Sequence, residues 1–227
     1  MNFMQLLKSL DDLLYEVMSW LVFYPVTMWR TLRHPLKMMN YSDAELGDRA
    51  DEQYTDTLSP PLFLLLSLII SHSIELALVG ESPIVRDTHG LAGLISDDTG
   101  LLMLRMLMFS VFPLIMAARL VRLLGVGLTR KTLRAPFYSQ CYVVAPFMLL
   151  LGLGAILVGW HDRPALVVTG AAMMVVAPLW YGTLQARWFA QHRRTSLLRG
   201  FVTASVAMVE SLAIVALISW LFTGAGS

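Results

Sequence analysis

The chain has 227 residues, 56% of them hydrophobic and only 15% charged, with a mean hydropathy of +0.63. A soluble domain of this length does not carry so much apolar surface, so water is excluded as the main solvent and lipid takes its place. The formal net charge of +1 conceals a one-sided distribution of Lys and Arg, and the single Cys141 excludes a disulfide framework, a cysteine metal cluster and CxxC redox chemistry.

The first segment, residues 1–39, is expected to be cytoplasmic and interfacial. Phe3, Leu6, Leu7, Leu10, Leu13, Leu14, Val17, Met18 and Leu21 follow helical spacing, with Lys8, Asp11, Asp12 and Glu16 on the other face. Those acids, and the lack of an apolar core followed by small residues, argue against a cleavable leader. The stretch from Val17 to Trp29 is about half a bilayer long and is expected to break at Pro25, with Trp20, Tyr24 and Trp29 as interfacial anchors. The alternative is a short sixth span, which would strand five basic residues outside.

Residues 40–59 form an acidic linker, in which Asp43, Glu45, Asp48, Asp51, Glu52 and Asp56 face only Arg49. It is read as a solvated connector, with docking onto the basic connectors farther along as the alternative. Ser59-Pro60-Pro61 then gives a cap followed by prolines, which suit a first helical turn.

Five apolar runs follow, at 60–80, 100–124, 137–160, 164–187 and 201–223. Each meets the ~20 helical residues that a ~30 Å hydrocarbon core requires. The fold predicted for 60–227 is therefore an all-α, five-span transmembrane bundle, preceded by the interfacial amphipathic helix. Fourteen of the seventeen basic residues fall before the first span or in the second and fourth connectors. The remaining three are Arg86, Arg105 and Arg163. This bias predicts an inner-membrane protein with a cytoplasmic N-terminus and a periplasmic C-terminus. The turn His161-Asp162-Arg163-Pro164 predicts that spans three and four form a tight antiparallel hairpin.

Polar residues inside apolar spans need a reason. Counting 1.5 Å per residue from the span ends puts Glu75 and Arg105 at similar depth, which predicts an ion pair between spans one and two. Glu210 falls near the centre of span five without a basic neighbour in sequence. It is expected to be protonated or to meet a partner such as His72. Together His72, Glu75, Arg105 and Glu210 are the candidate intramembrane polar site, read either as structural pairing or as a transport site. No metal-ligand spacing or cofactor motif is present, and no P-loop, GxSxG, HExxH or dinucleotide signature occurs.

Pro113, Pro146 and Pro178 fall at similar depth and are expected to kink their helices, and Val143-Val144-Ala145-Pro146 recurs as Val175-Val176-Ala177-Pro178. Matched kinks would open a vestibule toward the cytoplasm; ordinary bent-helix packing is the alternative. Thr203, Ala207 and Ser211 form a small-residue stripe beside Glu210, turned inward or toward a second copy. Arg119, Arg122, Arg130, Lys131, Arg134, Arg193, Arg194 and Arg199 are assigned to anionic lipid headgroups, in preference to nucleic acid, because they flank the spans directly.

Trp29-Arg30-Thr31-Leu32-Arg33-His34-Pro35 and Phe137-Tyr138-Ser139-Gln140-Cys141-Tyr142-Val143-Val144-Ala145-Pro146 accompany this five-span order. The first looks like the basic stretch ending in proline, and the second like the polar-to-apolar start of span three, in Yip-type membrane proteins. The architecture over most of the chain resembles that family, including its bacterial permease-like members. The Asp-Leu-Tyr-Gly-Pro signature of the eukaryotic members is absent, so their trafficking role with small GTPases is not implied. The resemblance implies an integral membrane protein without known catalysis, acting through membrane shape or partners, and the leading expectation is a non-enzymatic module that binds lipids, a membrane-protein partner or a second copy. A small permease built on the four polar residues is the competing expectation.

Overall fold

A computed structural model describes residues 3–49, 52–79 and 98–223, which form seven α-helices and no strands. They are α1 (Phe3–Arg33), α2 (Pro35–Glu45), α3 (Pro60–Val79), α4 (Asp98–Leu123), α5 (Arg130–Val158), α6 (Pro164–Arg193) and α7 (Leu197–Thr223). The last five are long and apolar enough to cross a membrane, and the chain is a polytopic all-α membrane protein. Gly80 and Arg86, with the rest of the connector between the first two spans, lie outside the described residues. So do Asp51 of the acidic linker and the side chains of Phe3, Leu6 and Leu7.

Ten consecutive residues of α5, Ser139 to Met148, are buried. A helix hides every face only when neighbours surround it, and α2, α3, α4 and α6 all pack against α5. Helices α4, α5, α6 and α7 close a ring, with α3 laid against α5 outside it. The end of the bundle that carries the Arg-rich connectors is here termed the basic end; the opposite end, with the 159–163 turn, is the hairpin end.

The α5–α6 hairpin keeps one register along its length. Gly154 and Gly170, each eight residues from Asp162, leave no room for a side chain: a Cβ on Gly170 would lie 2.6 Å from the Gly154 carbonyl oxygen. Such close backbone approach is how small residues weld helices in lipid. Deeper in, Gln140 and Gln185, both fully buried, exchange amide hydrogen bonds of 2.9 and 2.6 Å. Pro146 and Pro178 share a level in this register, as the sequence predicts. At the level of these prolines the bundle is packed and no vestibule opens, although a cavity of about 270 Å³ lies nearer the basic end between α4, α5 and α6. Phe147 stacks on Tyr181 at 4.4 Å between ring centroids, and Phe112 meets Phe147 edge-on at 5.8 Å. Aromatic packing fills the space that the kinks would have opened.

At the basic end the helices run past the hydrocarbon-length runs. The α5 helix starts at Arg130, with Thr129 and Thr132 in a reciprocal capping box, and α6 continues to Arg193. Pro25 does not break α1, which is one helix of 31 residues. The α1 helix splits by function along its length. Leu13, Val17, Met18 and Leu21 are exposed, whereas Thr27 and Thr31 are buried and Thr27 Oγ1 accepts from the Leu58 N–H at 3.0 Å. An apolar stripe with no protein cover is what an interfacial helix presents to lipid.

The expected division at residue 39 falls inside α2, which buries Met38, Met39 and Ser42 against α5. The acidic linker is folded as well. The Asp56 carboxylate accepts from Arg30 at 2.6 Å and from Tyr41 at 2.7 Å, and Glu45 accepts from the Tyr54 N–H. Asp56 and Glu45 therefore meet α1 and their own segment, whereas Asp43 lies 2.8 Å from the Ser139 hydroxyl of α5. Burial pushes the Tyr41 and Tyr54 phenols up, Tyr54 to about 12.

Candidate ligand-binding site

Helix α3 is largely apolar, and four of its polar residues share one side. Ser67, Ser71 and His72 are buried, and Glu75 is half-buried one turn beyond. The Ser71 side chain packs against the α5 backbone at this level, since a Cβ on Gly152 would lie 2.5 Å from its hydroxyl. His72 and Glu75 stand three residues apart, so both side chains reach the same neighbour. That neighbour is Arg105 of α4.

The predicted Glu75–Arg105 ion pair is present, and the two side chains keep only 17% and 19% of their surface exposed. Arg105 also points the same guanidinium nitrogen at His72 Nδ1, 3.2 Å away. A guanidinium only donates, so Nδ1 must accept, and the His72 proton is assigned to Nε2. Nε2 is buried with no hydrogen-bond partner. The three residues act as one unit in which a carboxylate and a neutral imidazole share a single cation.

A cavity of about 440 Å³ opens beside this unit, between α3, α4 and α5 at the hairpin end. Leu68, Met108, Phe109 and Ile156 make its walls apolar, Gly152 leaves the α5 wall low, and Trp160 stands at one end. Glu75 and Arg105 are the charged groups in the lining. An apolar cleft of this size with a few convergent polar groups is the usual form of a small-ligand site. The pair is neutral overall, and both contacts of Arg105 fall on one nitrogen. The cavity therefore offers spare donors and carboxylate lone pairs without net charge, which suits a guest with a neutral polar group and an apolar body.

Glu210 does not join this unit. It pairs with Arg119 of α4, nearer the basic end, beside Arg122. Glu210 thus meets a partner, one of its two expected states, but that partner is Arg119 and not His72, and Arg119, assigned to headgroups, is engaged within the chain. The Arg119 side chain, four residues from the end of α4, turns to Glu210 at the outer edge of the α4–α7 contact. Thr203, Ala207 and Ser211 are buried within the chain, so the small-residue stripe turns inward and is not free for a second copy. Arg122, Arg130, Lys131, Arg134, Arg194 and Arg199 are exposed at the basic end, and Arg193 is half-buried. Among the described residues no group of His, Cys, Asp or Glu is placed to hold a metal ion.

The Gln140–Gln185 pair, with the Tyr181 hydroxyl 3.4 Å from Gln140 Oε1, was not anticipated from the sequence. The signal was available: both glutamines are nearly equidistant from the Asp162 turn of a hairpin that the sequence does predict. Comparison of the chain with family models, curated proteins and solved structures finds no match.

Proposed function

We propose that this chain is a non-enzymatic membrane module that holds one lipid or lipid-like amphiphile in the hairpin-end cavity. The observation that carries this reading is the charge-neutral Glu75–Arg105 pair set in the wall of an otherwise apolar cleft. The filled centre of the ring supports a binding role over a permease, because Phe112, Phe147, Tyr181 and the glutamine pair occupy the axis a solute would need. Placement in an inner membrane, with the basic end cytoplasmic and the hairpin periplasmic, belongs to the same proposal and rests on the charge bias. Membership among Yip-type proteins belongs to it too, and rests on the sequence resemblance.

Native mass spectrometry of the detergent-solubilised protein tests the reading. The wild type is expected to retain one tightly held lipid. Ala155→Phe, which fills the cavity from an exposed position of α5, is expected to lose it without a change in unfolding temperature. Equal lipid retention by both proteins would overturn the proposal. So would solute flux through liposomes that Glu75→Gln abolishes.

A further inference from the structure

We propose that the basic end carries a second and independent site, a cradle for a phospholipid headgroup of the phosphoethanolamine type. A cavity of about 430 Å³ lies between α1, the 53–59 segment and the first turns of α5, and its lining is more polar than apolar, the reverse of the hairpin-end cleft. Ser59 and Leu62, at the start of α3, and Arg134, in the second turn of α5, fix its depth. That is where the spans leave the hydrocarbon and where headgroups lie.

The chemistry of the lining is that of a zwitterion. Arg134 is its one cation and Glu16 its one carboxylate, with Trp20, Phe23, Tyr54 and Tyr138 as aromatic walls. Arg134 is laid over the Tyr138 ring with its guanidinium carbon 5.3 Å from the ring centre. This cation–π contact holds the guanidinium at the cavity wall, where its fork can grip a phosphate with two hydrogen bonds. Glu16 then matches the ammonium, and the ring faces add a cation–π attraction. A glycerol headgroup carries the same single phosphate charge but no amine, so it would satisfy Arg134 and leave the Glu16 carboxylate without a cation, facing a net anion.

Tyr54 shows that this wall is built. It is a non-glycine residue with φ of 57°, in the left-handed region. The Glu45 carboxylate takes its N–H, its hydroxyl lies 3.4 Å from the Ser42 carbonyl oxygen, and Arg134 and Tyr138 are near enough to bear on its phenol. Strain held by surrounding contacts is common where a side chain is positioned for a ligand. The occupant is a lipid rather than a free headgroup because α1, beside the residues that line the cavity, exposes the apolar side chains Leu13, Val17 and Leu21, which give acyl chains their place.

The experiment is a titration of the purified protein in detergent with phosphatidylethanolamine, phosphatidylglycerol and phosphatidylcholine of matched chains, read by native mass spectrometry. Phosphatidylethanolamine is expected to bind about tenfold tighter than phosphatidylglycerol, the scale of one charge-assisted contact. E16Q should erase that preference by weakening the ethanolamine lipid and strengthening the glycerol lipid, whereas R134Q should weaken both. Both positions are exposed, so unfolding temperatures are expected to match the wild type. A preference that survives E16Q would overturn the proposal. Full displacement by equimolar soluble glycerophosphoethanolamine would overturn the lipid as its source.

Discussion

Arg105 and Arg119 sit fourteen residues apart on α4, on nearly the same face and about 21 Å apart along the axis, yet they serve different surroundings. Arg105 turns to Glu75 within the α3–α4–α5 contact, and each partner keeps less than a fifth of its side-chain surface open. Arg119 turns to Glu210 at the outer edge of the α4–α7 contact, and Glu210 keeps 47% open. The first pair is insulated by protein and the second is half open to whatever surrounds the bundle. Coulomb attraction grows as the medium becomes less polar, and so does the penalty for a charge left alone. The two pairs should therefore respond differently to mutation and to the solvent outside.

The largest effect is expected at the insulated pair. Removing one charge, as in Arg105→Gln or Glu75→Gln, leaves its partner stranded and should cost about 3 kcal/mol of stability. The double variant should recover most of that loss. Thermal unfolding in one detergent measures all three, and a double variant as unstable as the sum of the singles would mean the charges do not interact. At the open pair, Arg119→Gln should cost only about 1 kcal/mol in detergent, whose thin belt lets water nearer to Glu210 than a bilayer does. In lipid nanodiscs the same variant should cost clearly more, because hydrocarbon replaces that water. If both pairs shift equally between detergent and bilayer, the contrast drawn from their exposure is wrong.

The same contrast explains what the sequence made legible. The Glu75–Arg105 pair could be read because its opposite charges lie on consecutive spans, at the depth that counting from the hairpin-end termini gives both. Arg119 lies one turn from the end of its helix, where a long cationic side chain can reach either way. Sequence spacing does not reveal which neighbour waits in the bundle. The five spans were legible because each needs only enough apolar residues in a row. Their extensions at the basic end were not, because charged helical turns such as Arg130–Arg134 read as loop until a partner helix is known. The α2 helix was hidden for a related reason: Asn40–Glu45 is polar in sequence, and Met38, Met39 and Ser42 become a packed face only when α5 is beside them.

A third pair, in water, supplies the reference for the other two and the smallest effect. Burial raises the Asp56 carboxyl, but hydrogen bonds from Tyr41 and Arg30, with the Arg30 charge, outweigh it and hold the group below the usual carboxylate range. Its contribution is therefore present above the ordinary carboxylate range and is lost as pH falls through the depressed value. Asp43 has the opposite sign. Burial holds its carboxyl above the usual range despite the Ser139 hydroxyl and His192, so its contribution exists at low pH and is lost as pH rises through the raised value. With solvent screening, each amounts to a few tenths, on the order of 0.5 kcal/mol. Unfolding temperature followed from pH 3 to 7 is expected to fall less on the acid side in Asp56→Asn and to rise near neutrality in Asp43→Asn. Shifts of the same sign in the two variants would mean that the linker acids are not held as described. Neither variant should alter the detergent-to-bilayer difference at Arg119, since both carboxylates lie outside the spans.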